Sequence, residues 1–431
     1  MKKLTAVLTA LVLGLTLCMG ADRDHILKVY NWADYIDEAL IEEFEKWYEE
    51  QTGEKVKIVY QLFDINEVML SKIEKGHEDF DVVCPSDYII ERMLRSDLLL
   101  PINKDFGNTP NYLGNVSPYV VEMFNRIDGY GKNANDYAVG YMWGTTGILF
   151  NTKYVTREEA SHWDVLKDPR FAGKIFMKDA FRDVYTSLLI ALNKDRIASG
   201  EVTIDQVARD ASDESIALVE EYLNSFKDGV AGWEADFGKE RMTQEKAWIN
   251  LTWSGDAQWA IEEAAEVGVS LDFVVPEEGS SYWFDGWVIP KYAKNVKAAS
   301  YFINFMCKPE NAVRNIEEIG YVSTIGGDIV LEAMSDEEAY EAEDASYFFG
   351  EKGAAAHLNP VLYPSAETLA RCGMMHDSGD RTDALLAMWS RVKGDNASTS
   401  TYIILGLAVV LLAVFLFLRA KGKKRKRTYR R

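Results

Sequence analysis

ILKVYNWADYIDEALIEEFEKWYEEQTGEKVKIVYQLFDINEVMLSKIEKGHEDFDVVCPSDY, residues 26–88, decides the fold class. Its short runs ILKVYN (26–31), KVKIVY (55–60) and DFDVVC (79–84) are rich in β-branched and aromatic residues and read as strands. Between them, 37–51 and 66–75 carry apolar residues at helical spacing, and 89–98 continues the series after Pro85-Ser86 ends the third strand. Strand–helix alternation with short links predicts a parallel α/β sheet, and in such sheets ligands sit at the carboxyl ends of strands. The rule points to the loops 32–35 and 86–88.

The rest of the chain repeats this logic without an internal repeat. Residues 140–151 read as one or two strands, and 173–177 as a strand followed by a helix over 183–193. One or more acidic helices fall in 201–226, a strand in 247–253, a helix from Asp256 onward, and strands in 271–275 and 287–290. A helix over 298–307 stops at Lys308-Pro309, 336–344 is a charged solvated stretch, and 380–392 is the last helix. A length of 431 residues allows two or three domains.

Both ends read as targeting segments. Lys2 and Lys3 precede an apolar run from Leu4 to Leu17 and the small residues Gly20 and Ala21, so 1–21 reads as a secretory signal peptide. Cys18 offers a lipoprotein alternative, against which stands the bulky Leu17 before it. At the other end, 402–418 is a run of 17 residues without a charge, long enough to span a bilayer, and 419–431 carries nine positive charges and no negative one. The positive-inside rule keeps that tail in the cytoplasm and the bulk of the chain outside. The termini hold eleven of the 47 basic residues and none of the 68 acidic ones, so the exported part is strongly acidic. Such a surface repels nucleic acid and favours cationic small molecules at long range, although solubility alone accounts for it equally well. Cys84, Cys307 and Cys372 match no metal or redox spacing, and their odd number leaves at least one free thiol.

The chemistry collects at strand ends: Trp32, Asp34 and Tyr35; Ser86 and Tyr88; Asp179 and Asp183; Trp253 and Asp256; Trp283 and Asp285; Tyr321. An aliphatic di- or polyammonium needs this mixture, because its methylenes want flat apolar walls and its ends want carboxylates and ring faces. A metal site would need His or tighter carboxylate clusters, and an anion receptor would show Arg or Lys at the strand ends. Taken one at a time, a strand-end Trp is more often core and a loop Asp more often a turn residue. No Gly-x-Ser-x-Gly, His-Glu-x-x-His or phosphate-loop motif occurs. A glycosidase using paired carboxylates and a receptor for another solute stay open at this point, as does a polyamine sensor that feeds no importer.

The strings VYNWADYI (29–36), DFDVVCPSDYIIERM (79–93), GYMWGTTGILFN (140–151), SHWDVLKDPRFAGKI (161–175), TWSGDA (252–257), WFDGWVIP (283–290), AKNVKAASYFINFM (293–306) and IGYVSTIG (319–326) carry a further signal. Over about 26–392 the chain resembles the periplasmic spermidine/putrescine-binding proteins of ABC importers. The resemblance implies a two-lobed, type II periplasmic-binding-protein-like α/β fold with a hinge between lobes. It implies 22–144 with 286–328 as lobe one, 145–285 with 329–395 as lobe two, and crossovers near 141–147, 283–287 and 323–329. It implies no enzymatic activity and no cofactor. The partners it implies are a polyamine and an ABC permease with its ATPase, with no nucleic acid and a monomeric receptor; the membrane anchor through 402–418, at the outer face of the cytoplasmic membrane, is not a usual feature of that family. Carried over residue by residue, it makes Trp32 and Tyr35 cleft walls and Asp34 an acid near one end. Ser86 would bond an ammonium, Tyr88 pack on the chain, and Asp183 meet an amine. Trp253 and Trp283 would stack on methylenes, Asp285 hold an ammonium, and Tyr321 close the cleft. Asp256 matches a putrescine-type variant. Three features depart from the pattern: the loop DAFRDV (179–184) shifts the acid pattern and leaves Asp179 a candidate, while Met375, where the family has Gln, and the long stretch 327–362 put ligand length in doubt.

Overall fold

The computed structural model describes residues 23–235 and 237–394. The expected signal peptide (1–21), membrane span (402–418) and basic tail (419–431) lie outside the described residues. Among the described residues no helix is long and apolar enough to cross a membrane.

Among the described residues twelve strands form the sheet system: β1 (Ile26–Trp32), β2 (Lys57–Phe63), β3 (Val82–Val83), β4 (Leu99–Leu100), β5 (Ala138–Asn151), β6 (Ile175–Lys178), β7 (Val230–Glu234), β8 (Ile249–Trp253), β9 (Leu271–Val274), β10 (Ser280–Pro290), β11 (Val322–Ser323) and β12 (Cys372–Met374). The order is β2-β1-β3-β10-β5-β8-β6-β7, with β4 and β12 on β10 and β9 and β11 on β5. The β2-β1-β3 and β8-β6-β7 runs are parallel, as strand–helix alternation predicts. The β3–β10, β10–β5 and β5–β8 pairs are antiparallel, so the sheet is mixed rather than wholly parallel. The physical reason lies in β5 and β10, which run antiparallel through the middle and link the two parallel runs. Every residue of both is buried, as expected of strands covered on both faces.

Two apolar cores flank these strands. In the first, Leu40, Phe44 and Tyr48 recur every four residues along helix Ala39–Thr52 and are buried. That helix ends at Gly53, whose φ of 71 lets its N–H close on the Glu49 carbonyl. In the second, helices Phe181–Leu192, Asp213–Asn224 and Thr382–Lys393 bring Leu188, Leu189, Val219, Leu223 and Met388 against Met177, Ile249 and Leu251. The 327–362 stretch packs on the first core through Phe348, which stacks on Trp143 with ring centroids 5.6 Å apart. Cys84, Cys307 and Cys372 are all buried free thiols.

Candidate functional site

The site is assembled where β3 and β10 meet. Pro85 lacks an amide hydrogen, so β3 stops and the chain turns into helix Asp87–Arg95 with Ser86 at its N-cap. The Ser86 hydroxyl makes no capping bond there. It donates instead to Asp285 Oδ1 at 2.7 Å. On β10, a register break between Asp285 and Gly286 against β5 bulges the strand, and a bulge re-aims the side chain beside it. Gly286 permits the close approach: a Cβ there would stand 3.1 Å from both Ile90 Cδ1 and the Val139 carbonyl oxygen, and its N–H bonds the Pro85 carbonyl at 3.0 Å. The Tyr35 hydroxyl, presented by the turn after β1, donates to Asp285 Oδ2 at 2.8 Å.

Asp285 is thus a buried carboxylate held by two neutral hydroxyls. Burial pushes its pKa up to about 7 against the lowering bonds from Ser86 and Tyr35, and the charge of Asp183 adds to the rise. Asp183, in the first turn of helix Phe181–Leu192, accepts from Trp253 Nε1 at 2.8 Å. Burial raises it to about 6, with the Trp253 bond and the charges of Lys178 and Arg182 pulling the other way. A third buried acid, Asp87, accepts the Tyr88 and Phe284 amides and is held well above the usual carboxylate range, chiefly by burial. Among the described residues, neither Asp285 nor Asp183 has a Lys or Arg within ion-pair distance.

Aromatic rings close around these acids. Trp283 and Tyr321 lie 5.5 Å apart by ring centroids, and Tyr35 meets Tyr321 edge-on at 5.9 Å. Tyr321 donates to Asp256 Oδ1 at 2.9 Å. Trp32 packs on Phe63 at 4.4 Å, at the half-buried end of β1. Tyr88 accepts from Asn66 Nδ2 at 3.1 Å, and Asn66 also reaches Ser86 Oγ at 3.0 Å.

Tyr35, Ser86, Trp253, Trp283, Asp183, Asp285 and Tyr321 therefore form one connected cluster with Asp256, and Tyr88 joins it through Asn66. Two of the expected acids stand elsewhere. Asp34 is exposed, at φ 51 on the turn after β1. Asp179 accepts from Trp389 Nε1 at 2.8 Å and pairs with Lys393 at 2.7 Å, so it ties down the last helix.

Several participants were not anticipated. Lys178, at the end of β6, is buried and places its Nζ 2.5 Å from Asp256 Oδ2, 2.5 Å from the Ala235 carbonyl oxygen and 4.4 Å from the Trp253 ring centroid. Glu234, on the unexpected strand β7, lies 3.5 Å from the same ammonium. The Arg182 guanidinium stands 4.3 Å over the Tyr88 ring. A buried Lys at the end of a strand beside DAFRDV was the one available signal, and it carries no spacing motif.

A family model described as bacterial extracellular solute-binding protein matches residues 39–333. The chain is 30% identical over 386 residues to the spermidine/putrescine-binding periplasmic protein of Escherichia coli, covering 89% of this chain and 96% of that one. To the putrescine-binding periplasmic protein PotF of the same organism it is 26% identical over 413 residues, covering 91% and 98%. Among solved structures it is similar to the spermidine/putrescine ABC transporter substrate-binding protein PotD of Streptococcus pneumoniae, with TM-score 0.61, 28% identity, and 86% and 99% of the two chains covered.

Proposed function

The chain belongs to the bacterial extracellular solute-binding protein family, and from that premise we propose that it is the extracytoplasmic polyamine receptor of an ABC importer, taking putrescine or spermidine and passing it to a permease driven by an ATPase. It is a receptor and not an enzyme. The observation that carries the reading is the pair Asp285 and Asp183: two buried carboxylates, in no ion pair among the described residues, that accept from the hydroxyls of Tyr35 and Ser86 and from the Trp253 indole. Burying an unpaired anion is costly, and a di- or polyammonium is the partner that removes the cost on binding. Ring faces would take the methylenes and share the cationic charge.

The mixed sheet supports a hinge. The two lobes would be 22–144 with 286–328 and 145–285 with 329–395; the stacking of Phe348 on Trp143 favours counting the 327–362 stretch with the first. β5, β10 and the link after β11 would be the crossovers, and the lobes would close on the amine by hinge motion. The receptor would be a monomer outside the cytoplasmic membrane, anchored by 402–418 with the basic tail inside. Titration calorimetry of the mature protein with putrescine, spermidine, a sugar and an amino acid tests the reading. Heat with either amine and none with the other two is expected. Binding of the sugar or amino acid alone overturns it.

A further inference from the structure

Asp256 differs from Asp285 and Asp183 in one respect: its cation is already present. Lys178 Nζ donates to Asp256 Oδ2 at 2.5 Å, Tyr321 donates to Oδ1 at 2.9 Å, and Lys239 Nζ stands 3.7 Å from the same oxygen. The Lys178 ammonium also lies 4.4 Å from the centroid of Trp253, covering one ring face. It therefore makes both contacts that a ligand ammonium would make at this end of the site: a charge-assisted bond to a carboxylate and a cation–π contact with an indole.

The lysine is built in. Its side chain is 1% exposed, its Nζ donates to the Ala235 carbonyl at 2.5 Å, and it faces Glu234 at 3.5 Å. Glu234 is in turn fixed by the Gly238 amide at 3.0 Å and by Asn250 Nδ2 at 3.4 Å. On the neighbouring wall, Arg182 covers the face of Tyr88 at 4.3 Å and is held by Ser378 and Thr382. Asp256 is thus supplied with resident ammonium groups, while among the described residues neither Asp183 nor Asp285 is in an ion pair with a Lys or Arg.

We propose that Lys178 is a specificity-determining residue, an internal ammonium that occupies the Asp256 subsite and restricts the ligand to a diamine held between Asp183 and Asp285. This rests on the polyamine reading above. Asp256 is then the partner of Lys178 rather than a ligand contact. A triamine is disfavoured because its third ammonium would have to enter the Asp256 subsite, where Lys178 and Lys239 already supply positive charge.

The test is competition binding of 1,3-diaminopropane, putrescine, cadaverine and spermidine to the wild-type mature protein and to two variants, Lys178→Gln and Lys178→Met/Glu234→Gln. The double variant removes one charge of each sign, so it frees Asp256 without changing the net charge of the cluster and guards against misfolding of the single one. The wild type is expected to bind the best diamine at least tenfold more tightly than spermidine. Each folded variant is expected to move the spermidine-to-putrescine affinity ratio at least tenfold toward spermidine. A wild type that prefers spermidine overturns the proposal, as does a double variant with an unchanged ratio. A wild type that binds no amine at all sinks the polyamine reading itself, and this inference with it.

Discussion

Lowering the pH should weaken amine binding by a predictable amount, because the two carboxylates proposed to receive the ligand are groups that burial makes hard to ionise. The pKa of Asp285 is pushed up to about 7 and that of Asp183 to about 6 in the unliganded protein. An ammonium binds the ionised form, and aliphatic ammonium groups stay protonated throughout this range. The ligand must therefore displace whatever protons the carboxylates hold. Each group multiplies the apparent Kd by one plus the ratio of its protonated to ionised forms. The product is close to unity at pH 8, about 20 at pH 6 and about 1,000 at pH 5. Three decades correspond to about 4 kcal/mol. The sign is fixed: affinity is greatest above pH 7 and is lost as pH falls through 7 and then 6. At pH 7 binding should release roughly 0.6 of a proton, which calorimetry in two buffers of different ionisation enthalpy would read directly. The titration should be run from pH 8 to pH 5 with circular dichroism as a control for folding. A Kd constant within about twofold over that range, or no buffer dependence at pH 7, would refute the idea that these two acids receive the ammonium groups.

Four further outcomes follow from the geometry. Asp285→Asn should lose amine binding yet raise the melting temperature of the unliganded protein. A carboxylate whose folded pKa is raised destabilises above that pKa and not below its ordinary value, so the gain, of order a few kcal/mol at most, should appear in melts at pH 8 and vanish near pH 4. Gly144→Ala would place a Cβ 2.8 Å from Ser254 Oγ and 2.9 Å from the Trp283 ring, so it should displace that wall and weaken binding about tenfold, at an overpacking cost of about 1–3 kcal/mol in denaturant melts. His376 bonds Glu91 at 2.9 Å and Asp205 at 3.1 Å; burial lowers its pKa, but those bonds outweigh it and the net shift is upward. The stability this histidine contributes is present at low pH and lost as pH rises through its folded pKa, so the melting difference between wild type and His376→Gln should shrink from pH 6 to pH 9. Finally, protease added to intact spheroplasts should digest the folded part and spare the basic tail; the reverse pattern would invert the proposed topology.

The local elements were legible because their signals are local. The alternation of apolar runs and amphipathic segments over 26–88 placed β1, β2 and the first helices close to their observed bounds. Pro85-Ser86 marked the turn where the site begins, and strand-end aromatics with acids marked eight members of the cluster. Pairing direction was not legible. Nothing in WFDGWVIP says that β10 runs antiparallel to β3 and β5, because that depends on where the chain returns from, and periodicity carries no such record. The strand β7 was missed for a similar reason. VAGWE is half exposed and glycine-containing, so it has neither an apolar run nor clean alternation.

The charge state of each acid was the least legible feature, and it is the one on which function turns. Asp256 and Asp285 look alike in sequence: each follows a tryptophan by two or three residues, and each belongs to a short string that fits a ligand-binding role. Their difference arises from partners 78 and 199–250 positions away. Asp256 meets an ammonium carried on β6, while Asp285 meets hydroxyls carried on the loops after β3 and β1. A carboxylate buried with a resident cation is a finished structural element, and removing that cation is what costs energy. A carboxylate buried with hydroxyls alone is unfinished, because its ionisation opposes burial until a cation arrives. Carboxylates of both kinds occur in one cluster here, so a list of strand-end acids does not by itself count ligand charges; on the proposed reading the unpaired ones, Asp183 and Asp285, set the charge that the ligand must bring.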